Sequence, residues 1–145
     1  MQNHITSIDL LAETMMQSLQ IYMKYARKMG LAENEYVVLY SVYHHQGCSQ
    51  KDIVADWELP KQTVSFVCKQ LVERGWLAFA PDPNDKRGKL MNLTADGLAV
   101  IAPIIEAQTA GERQSAVDFG EEKLAALVQD LIRLNKVLSK NLGVE

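Results

Sequence analysis

Between Pro60 and Gly75 the apolar residues Val64, Val67, Cys68, Leu71 and Val72 recur at intervals of three and four. Only a helix keeps that spacing on one side. Pro60 suits the first helical position, where a missing N–H costs nothing, and Gly75 can take the left-handed conformation that ends a helix. The face opposite the stripe carries Gln62, Phe66, Lys69, Gln70 and Glu73, with Lys61, Thr63 and Ser65 on its flanks. Just upstream, Ser49 followed by Asp52 is a capping-box pattern, and Ile53, Val54 and Trp57 supply the inner side of a short helix. Helix, tight turn and helix at this spacing make a helix-turn-helix, whose second helix is shaped for a major groove. Gln pairs bidentately with adenine and Lys with guanine or phosphate, so the outer face is a set of groove-reading groups. An ordinary solvated helix face is the other reading of the same residues.

After Gly75, Leu77 and Phe79 alternate with Ala78 and Ala80, and Met91 and Leu93 alternate with Leu90 and Asn92. The alternation predicts two short strands paired as a hairpin. The intervening run from Pro81 to Gly88 is rich in turn formers and ends in cations. A hairpin directly after a helix-turn-helix is a winged helix, and Lys86, Arg87 and Lys89 at or beside its tip would reach a minor groove or a flanking phosphate. The chain carries −3 overall, but residues 60–93 hold six cations against three anions, leaving the remainder at −6. A basic stripe on an acidic body is a local footprint for nucleic acid.

Two long amphipathic helices bracket this lobe. Thr6 or Ser7 can cap the first, and Ile8, Leu11, Met15, Leu19, Tyr22, Ala26 and Met29 keep one stripe to Gly30. That is about 34 Å of helix at 1.5 Å per residue. The last runs from Glu121 to near Leu142 with Leu124, Leu127, Val128, Leu131, Leu134 and Leu138. Between them lie a second helix over 33–46, with Tyr36, Leu39, Tyr40 and Tyr43 inward, and a fifth that Thr94 caps and Pro103 should kink. The expected fold is mainly α with a small β-wing: a winged helix-turn-helix over 31–94, flanked by helices at 1–30 and 95–145 that dimerise, in one protomer of residues 1–145. The apolar surplus of the terminal helices is best buried against a second copy, giving a homodimer.

Other classes fit poorly. The chain of 145 residues has no Gly-rich phosphate loop, nucleophile elbow or HExxH, so an enzyme is not expected. No cofactor or metal is expected either, since His44 and His45 are adjacent on a helix and cannot converge on one ion. No apolar run reaches the ~18 residues that span a bilayer, and a cytoplasmic location is expected. Two cysteines are too few for a disulfide framework. Cys48, just before a helix N-terminus that can depress a thiol pKa, is the candidate redox residue, whereas Cys68 lies on the buried stripe and should be inert.

The run Asp85-Lys86-Arg87-Gly88-Lys89-Leu90-Met91-Asn92-Leu93-Thr94 resembles the wing signature of MarR-type (multiple antibiotic resistance regulator) repressors: an Asp, an Arg two later, then an apolar-x-Leu-Thr ending. Upstream, Glu35-Tyr36-Val37-Val38-Leu39, Ser49-Gln50 and Thr63-Val64-Ser65 fall in the family's order and spacing. Downstream, Thr94-Ala95-Asp96-Gly97 is similar to the start of its fifth helix. The likeness covers essentially the whole chain. It implies a homodimeric transcriptional regulator, a repressor, that binds a pseudo-palindromic operator in double-stranded DNA and releases it when a small aromatic or anionic effector binds; some relatives respond to cysteine oxidation instead. Gln50, Lys51, Lys61, Gln62, Thr63, Ser65, Phe66, Lys69, Lys86, Arg87 and Lys89 are the candidate DNA contacts, and Tyr22, Tyr25, Met29, Tyr36 and Tyr40 the candidate effector pocket. Phe66 stands where relatives commonly carry Arg or Asn, Ala80 where a basic residue is frequent, and Ala32 in place of the usual Thr cap. An outward Phe66 and a modest basic patch also fit a winged helix used as a protein-interaction module.

Overall fold

The computed structural model describes residues 6–144. In order the elements are α1 (Ser7–Lys28), α2 (Glu33–His44), β1 (Cys48–Ser49), α3 (Gln50–Trp57), α4 (Lys61–Glu73), β2 (Leu77–Asp82), β3 (Asp85–Leu93), α5 (Ala95–Phe119) and α6 (Glu121–Leu142). The chain divides into two compact units, one ending at Ile104 and the other beginning at Ile105. The mainly helical fold with a small wing is as expected. The first unit holds α1 and the opening of α5 along with the winged helix.

In the first unit the core gathers Val38, Leu39, Val42, Ile53, Val64, Cys68, Leu71, Leu77, Met91 and Ile101, each essentially inaccessible to water. α2 runs through its middle. The tyrosine-centred stripe expected for α2 understates its burial: Tyr36, Val37, Val38, Leu39, Ser41 and Val42 are all enclosed. A helix apolar on every side is a central one, and α2 packs against α1, α3, α4 and β3. The buried Ser41 hydroxyl is matched, since Ser41 Oγ donates to the Val37 carbonyl (2.8 Å) and accepts from Trp57 Nε1 (3.0 Å).

The helix starts follow their capping chemistry. Thr6 accepts from the Asp9 N–H and Asp9 returns a bond to the Thr6 N–H. Ser49 and Asp52 do the same for α3, at 3.3 and 2.7 Å. Ala32 has no oxygen to offer α2, yet Glu35 still reaches back to the Ala32 N–H (3.1 Å). Glu35 is nearly buried and also receives Arg74 Nη1 at 2.7 Å, so one carboxylate ties the start of α2 to the end of α4.

The sheet is antiparallel in the order β1-β3-β2, with Cys48 opposite Met91 and Leu77 opposite Leu93. Three details depart from the sequence reading. Pro60 is the N-cap of α4 rather than its first residue, with Lys61 opening the helix. The strands reach further toward the tip than expected, leaving only Pro83 and Asn84 between them, and Cys48–Ser49 adds a third strand too short to carry an alternation. The fifth helix, with Pro103 inside it as expected, also runs on through Gly111 to Phe119. Pro103 and Ala99 are both exposed, so water can bond the Ala99 carbonyl that the proline leaves unpaired.

The junction before α5 is built on close approach. Thr94 Oγ1 donates to the Gly75 carbonyl (2.5 Å) and accepts from the Gly97 N–H (3.0 Å), while the Thr94 N–H bonds the Trp76 carbonyl (3.1 Å). A Cβ on Gly97 would lie 1.9 Å from the Trp76 oxygen. Only glycine lets this first turn sit against the backbone that follows α4.

The second unit consists of the remainder of α5 and α6, joined at Gly120, whose φ of 105° favours glycine. α6 ends at Gly143 in the left-handed conformation and buries none of its residues. No helix among the described residues is long and apolar enough to cross a membrane.

Candidate nucleic-acid interface

α4 presents its two faces as the periodicity requires. Val64, Val67, Cys68 and Leu71 are buried, and Lys61, Gln62, Ser65, Phe66, Lys69 and Glu73 are exposed. Thr63 and Gln70 are half-buried at the margins. The tight turn before it is closed by Glu58 in the left-handed region (φ 50°), an unusual conformation for a residue with a Cβ.

An open cleft of about 450 Å³ separates the start of α3 from the wing. Its lining brings together Gln50, Lys51, Lys61, Arg87 and Lys89, five of the expected contacts drawn from three elements. A second cleft of about 600 Å³ runs beside α4 and includes Gln62, Thr63 and Phe66 with Asn34 and Gln70. Ser65, Lys69 and Lys86 are exposed and line neither cleft.

The wing tip is shaped by two carboxylates that the sequence reading left without a role. Asp82 Oδ1 accepts the Asn84 N–H (2.8 Å), and Asp85 Oδ1 accepts the Arg87 N–H (2.9 Å). The register shifts here, with Pro81 opposite Lys89 but Asp82 opposite Asp85, so Lys86, Arg87 and Gly88 form an excursion between paired positions. The Asp two residues before Arg87 was the available signal, because Asp commonly bonds its own backbone two residues on. Asp85 also stands 3.9 Å from Lys51, whose side chain remains 85% exposed. An ion pair that open is weak and leaves the ammonium available to another anion. Lys89 Nζ lies 5.4 Å from the Phe79 ring centroid, which steadies it without neutralising it.

The candidate effector residues divide. Tyr36 and Tyr40 have ring centroids 5.7 Å apart, and Tyr40 meets Trp57 edge-on at 6.1 Å and His44 at 4.4 Å. These two are part of a packed aromatic cluster. Tyr25 donates its hydroxyl to the Ile104 carbonyl (2.9 Å), and Tyr22 and Met29 are about one-third exposed. None of the five lines the two clefts above.

Cys48 departs from the thiol expected before a helix N-terminus. It is buried, and burial first, then the nearby Asp52 carboxylate, push its pKa up to about 11. Desolvation outweighs the helix end, and the thiolate that oxidation chemistry needs is scarce near neutral pH. Cys68, as expected, is fully enclosed, and burial raises it to about 12.

A model of the MarR family matches residues 29–88, from the end of α1 to the wing. Among curated relatives, the HTH-type transcriptional regulator Hpr of Geobacillus sp. (strain WCH70) is 29% identical over 85 residues, 59% of this chain and 42% of that protein. ScoC of Bacillus subtilis (strain 168), a DNA-binding transcriptional repressor, is 29% identical over the same shares. The chain thus matches less than half the length of these relatives. A solved MarR family regulator from Neisseria meningitidis extends the likeness across α1, the winged helix and both C-terminal helices. It is 30% identical, covers 95% of this chain and 97% of its own, and superposes with a TM-score of 0.79, so the chain belongs to the MarR family of transcriptional regulators.

Proposed function

We propose that the protein is a repressor that binds a pseudo-palindromic operator as a homodimer, α4 lying in the major groove and the wing gripping the flanking backbone. One observation carries this reading. Lys61 at the start of α4 borders one cleft with the wing cations Arg87 and Lys89 and with Lys51 of α3, while the hydrogen-bonding residues Gln62, Ser65 and Lys69 lie exposed further along α4. Hydrogen-bonding residues on a helix flanked by cations are what base readout with phosphate clamping requires. That ScoC is a DNA-binding transcriptional repressor supports the same role here.

The homodimer follows from uncovered apolar surface. On α1, Ile8, Met15 and Leu19 are more than 40% exposed, and on α6 so are Leu127, Val128 and Ile132. Stripes of this length on a soluble domain are interface-forming. A two-fold pair holding its α4 helices about 34 Å apart reads two half-sites on one side of the duplex. Release by a small aromatic or anionic effector would act on that separation, with Tyr22, Tyr25 and Met29 as the part of the expected pocket not locked into the aromatic cluster. The redox alternative is disfavoured by the raised Cys48 thiol.

Duplexes selected from a random pool by binding to the protein provide the test. Log affinity should fall linearly with log salt, with a slope near −0.9 per phosphate neutralised. Arg87→Ala should flatten that slope by about one and weaken all sequences alike, whereas Gln62→Ala should relax preference at one position. Failure to enrich any duplex, even in dilute buffer, would leave the protein-interaction module as the better account. For release, an aromatic carboxylate such as benzoate is titrated into the complex; operator affinity that drops with an unchanged α4–α4 distance would refute the separation mechanism.

A further inference from the structure

Phe66, one of the candidate DNA contacts, is 63% exposed in the second turn of α4, and no phosphate or base-edge hydrogen bond can engage its ring. One turn before it stands Gln62, and three and four residues after it Lys69 and Gln70, with exposed Ser65 alongside. It is therefore the single large apolar side chain on a face otherwise made of hydrogen-bonding groups. A protein-binding surface would ring such an anchor with further apolar area. The chain's extended apolar stripes lie on α1 and α6, so self-association has its surface elsewhere. The cleft beside Phe66 holds two carboxylates, Glu33 and Glu35, and each is paired with an arginine, Arg27 and Arg74 respectively. Glu73, the remaining acid of this face, is seven residues further on, two turns toward the C-terminal end. A polyanion can thus approach the ring without meeting an unpaired carboxylate beside it.

A major groove floored by base edges offers donors, acceptors and one apolar group, the C5-methyl of thymine. We propose that Phe66 reads a thymine methyl in each half-site, while Gln62 one turn earlier reads a neighbouring base by hydrogen bonds. Operator choice then depends on an apolar contact at the centre of α4, in place of a charged one. The inference rests on the DNA-binding reading, and the experiment separates failure of one from failure of the other.

Duplexes are first selected from a random pool with the protein. The best of them is then made with thymine or with uracil at every thymine of both half-sites, which removes methyl groups and no hydrogen-bonding atom. Wild type should bind the uracil duplex about three- to fivefold more weakly per methyl read, as expected for one buried methyl. Phe66→Ala should bind both duplexes alike, and Phe66→Leu should retain part of the preference. Phe66 is exposed, so neither variant threatens the fold, and circular dichroism would document that. Equal binding of the two duplexes by wild type overturns the proposal while leaving the regulator reading intact, with the ring then facing another occupant. A uracil penalty that persists in Phe66→Ala also overturns it, because another residue would be touching the methyl. Failure to enrich any duplex overturns both.

Discussion

At the scale of single residues, the most constrained position is one whose side chain is a hydrogen atom. Gly97 lets the first turn of α5 lie against the Trp76 carbonyl, and an added Cβ would stand 1.9 Å from that oxygen. The obstruction is backbone and cannot swing aside. Gly97→Ala should therefore cost about 2–3 kcal/mol, the upper part of the overpacking range, and lower Tm by roughly 5–10 °C in a thermal melt. A variant melting like wild type would show that the α5 junction is not tightly docked. The two buried thiols give a pH signature. Both are raised in the folded state, to about 11 for Cys48 and about 12 for Cys68, so the unfolded chain ionises first. Their stabilisation is present below the ordinary thiol pKa near 9 and is lost as pH climbs toward the folded values. Each thiol contributes up to about 1.4 kcal/mol per pH unit across that window. Denaturant titrations from pH 8 to 11 should show falling stability, and Cys48→Ser with Cys68→Ala should flatten the fall relative to the parent.

At the scale of elements, local chemistry and context divide the work. Capping residues place the starts of α1 and α3 with no help from the rest of the fold, and Ser49→Ala should cost about 1 kcal/mol by removing the oxygen that receives the Asp52 N–H. A chemical melt measures that loss, and a cap without value would leave the midpoint unmoved. Glu58, left-handed in the turn between α3 and α4, offers the opposite case. Its conformation is costly for a residue with a Cβ, so Glu58→Gly should be neutral or raise stability by up to about 1 kcal/mol, and Glu58→Val should destabilise. The stripe of α4 was legible because that helix has one buried face, and the alternation around Leu77 and Met91 because each is the enclosed residue of its strand. The burial of α2 was not, because a helix enclosed on all sides has no polar face to mark its phase. β1 escaped notice for a simpler reason: two residues carry no period. The composition of the wing tip, dominated by turn-forming residues, predicts a long loop, whereas the Asp82 and Asp85 side-chain bonds accompany pairing that continues almost to its end.

At the scale of the whole molecule, the proposed dimer explains why α1 and α6 leave apolar stripes in water. Leu19→Glu in α1 and Leu127→Glu in α6 should each shift sedimentation toward monomer. Binding to a two-half-site duplex should then fall roughly a hundredfold or more, because several base contacts are lost together. A variant that stays dimeric and binds normally would place the interface elsewhere. From the chain's order of residues alone came the helix-turn-helix, the wing, the polar face of α4 and the terminal stripes, since each is written in a local period or in a cap a few residues long. What only the tertiary structure decided is which of those groups meet. It joined Gln50, Lys51, Lys61, Arg87 and Lys89 around one cleft, paired Glu35 with Arg74, and turned Tyr36 and Tyr40 into packing. It also raised the Cys48 thiol, where a helix end alone suggested the reverse. Period and capping act over a few residues along the chain, whereas desolvation and ion pairing depend on neighbours brought near only by folding.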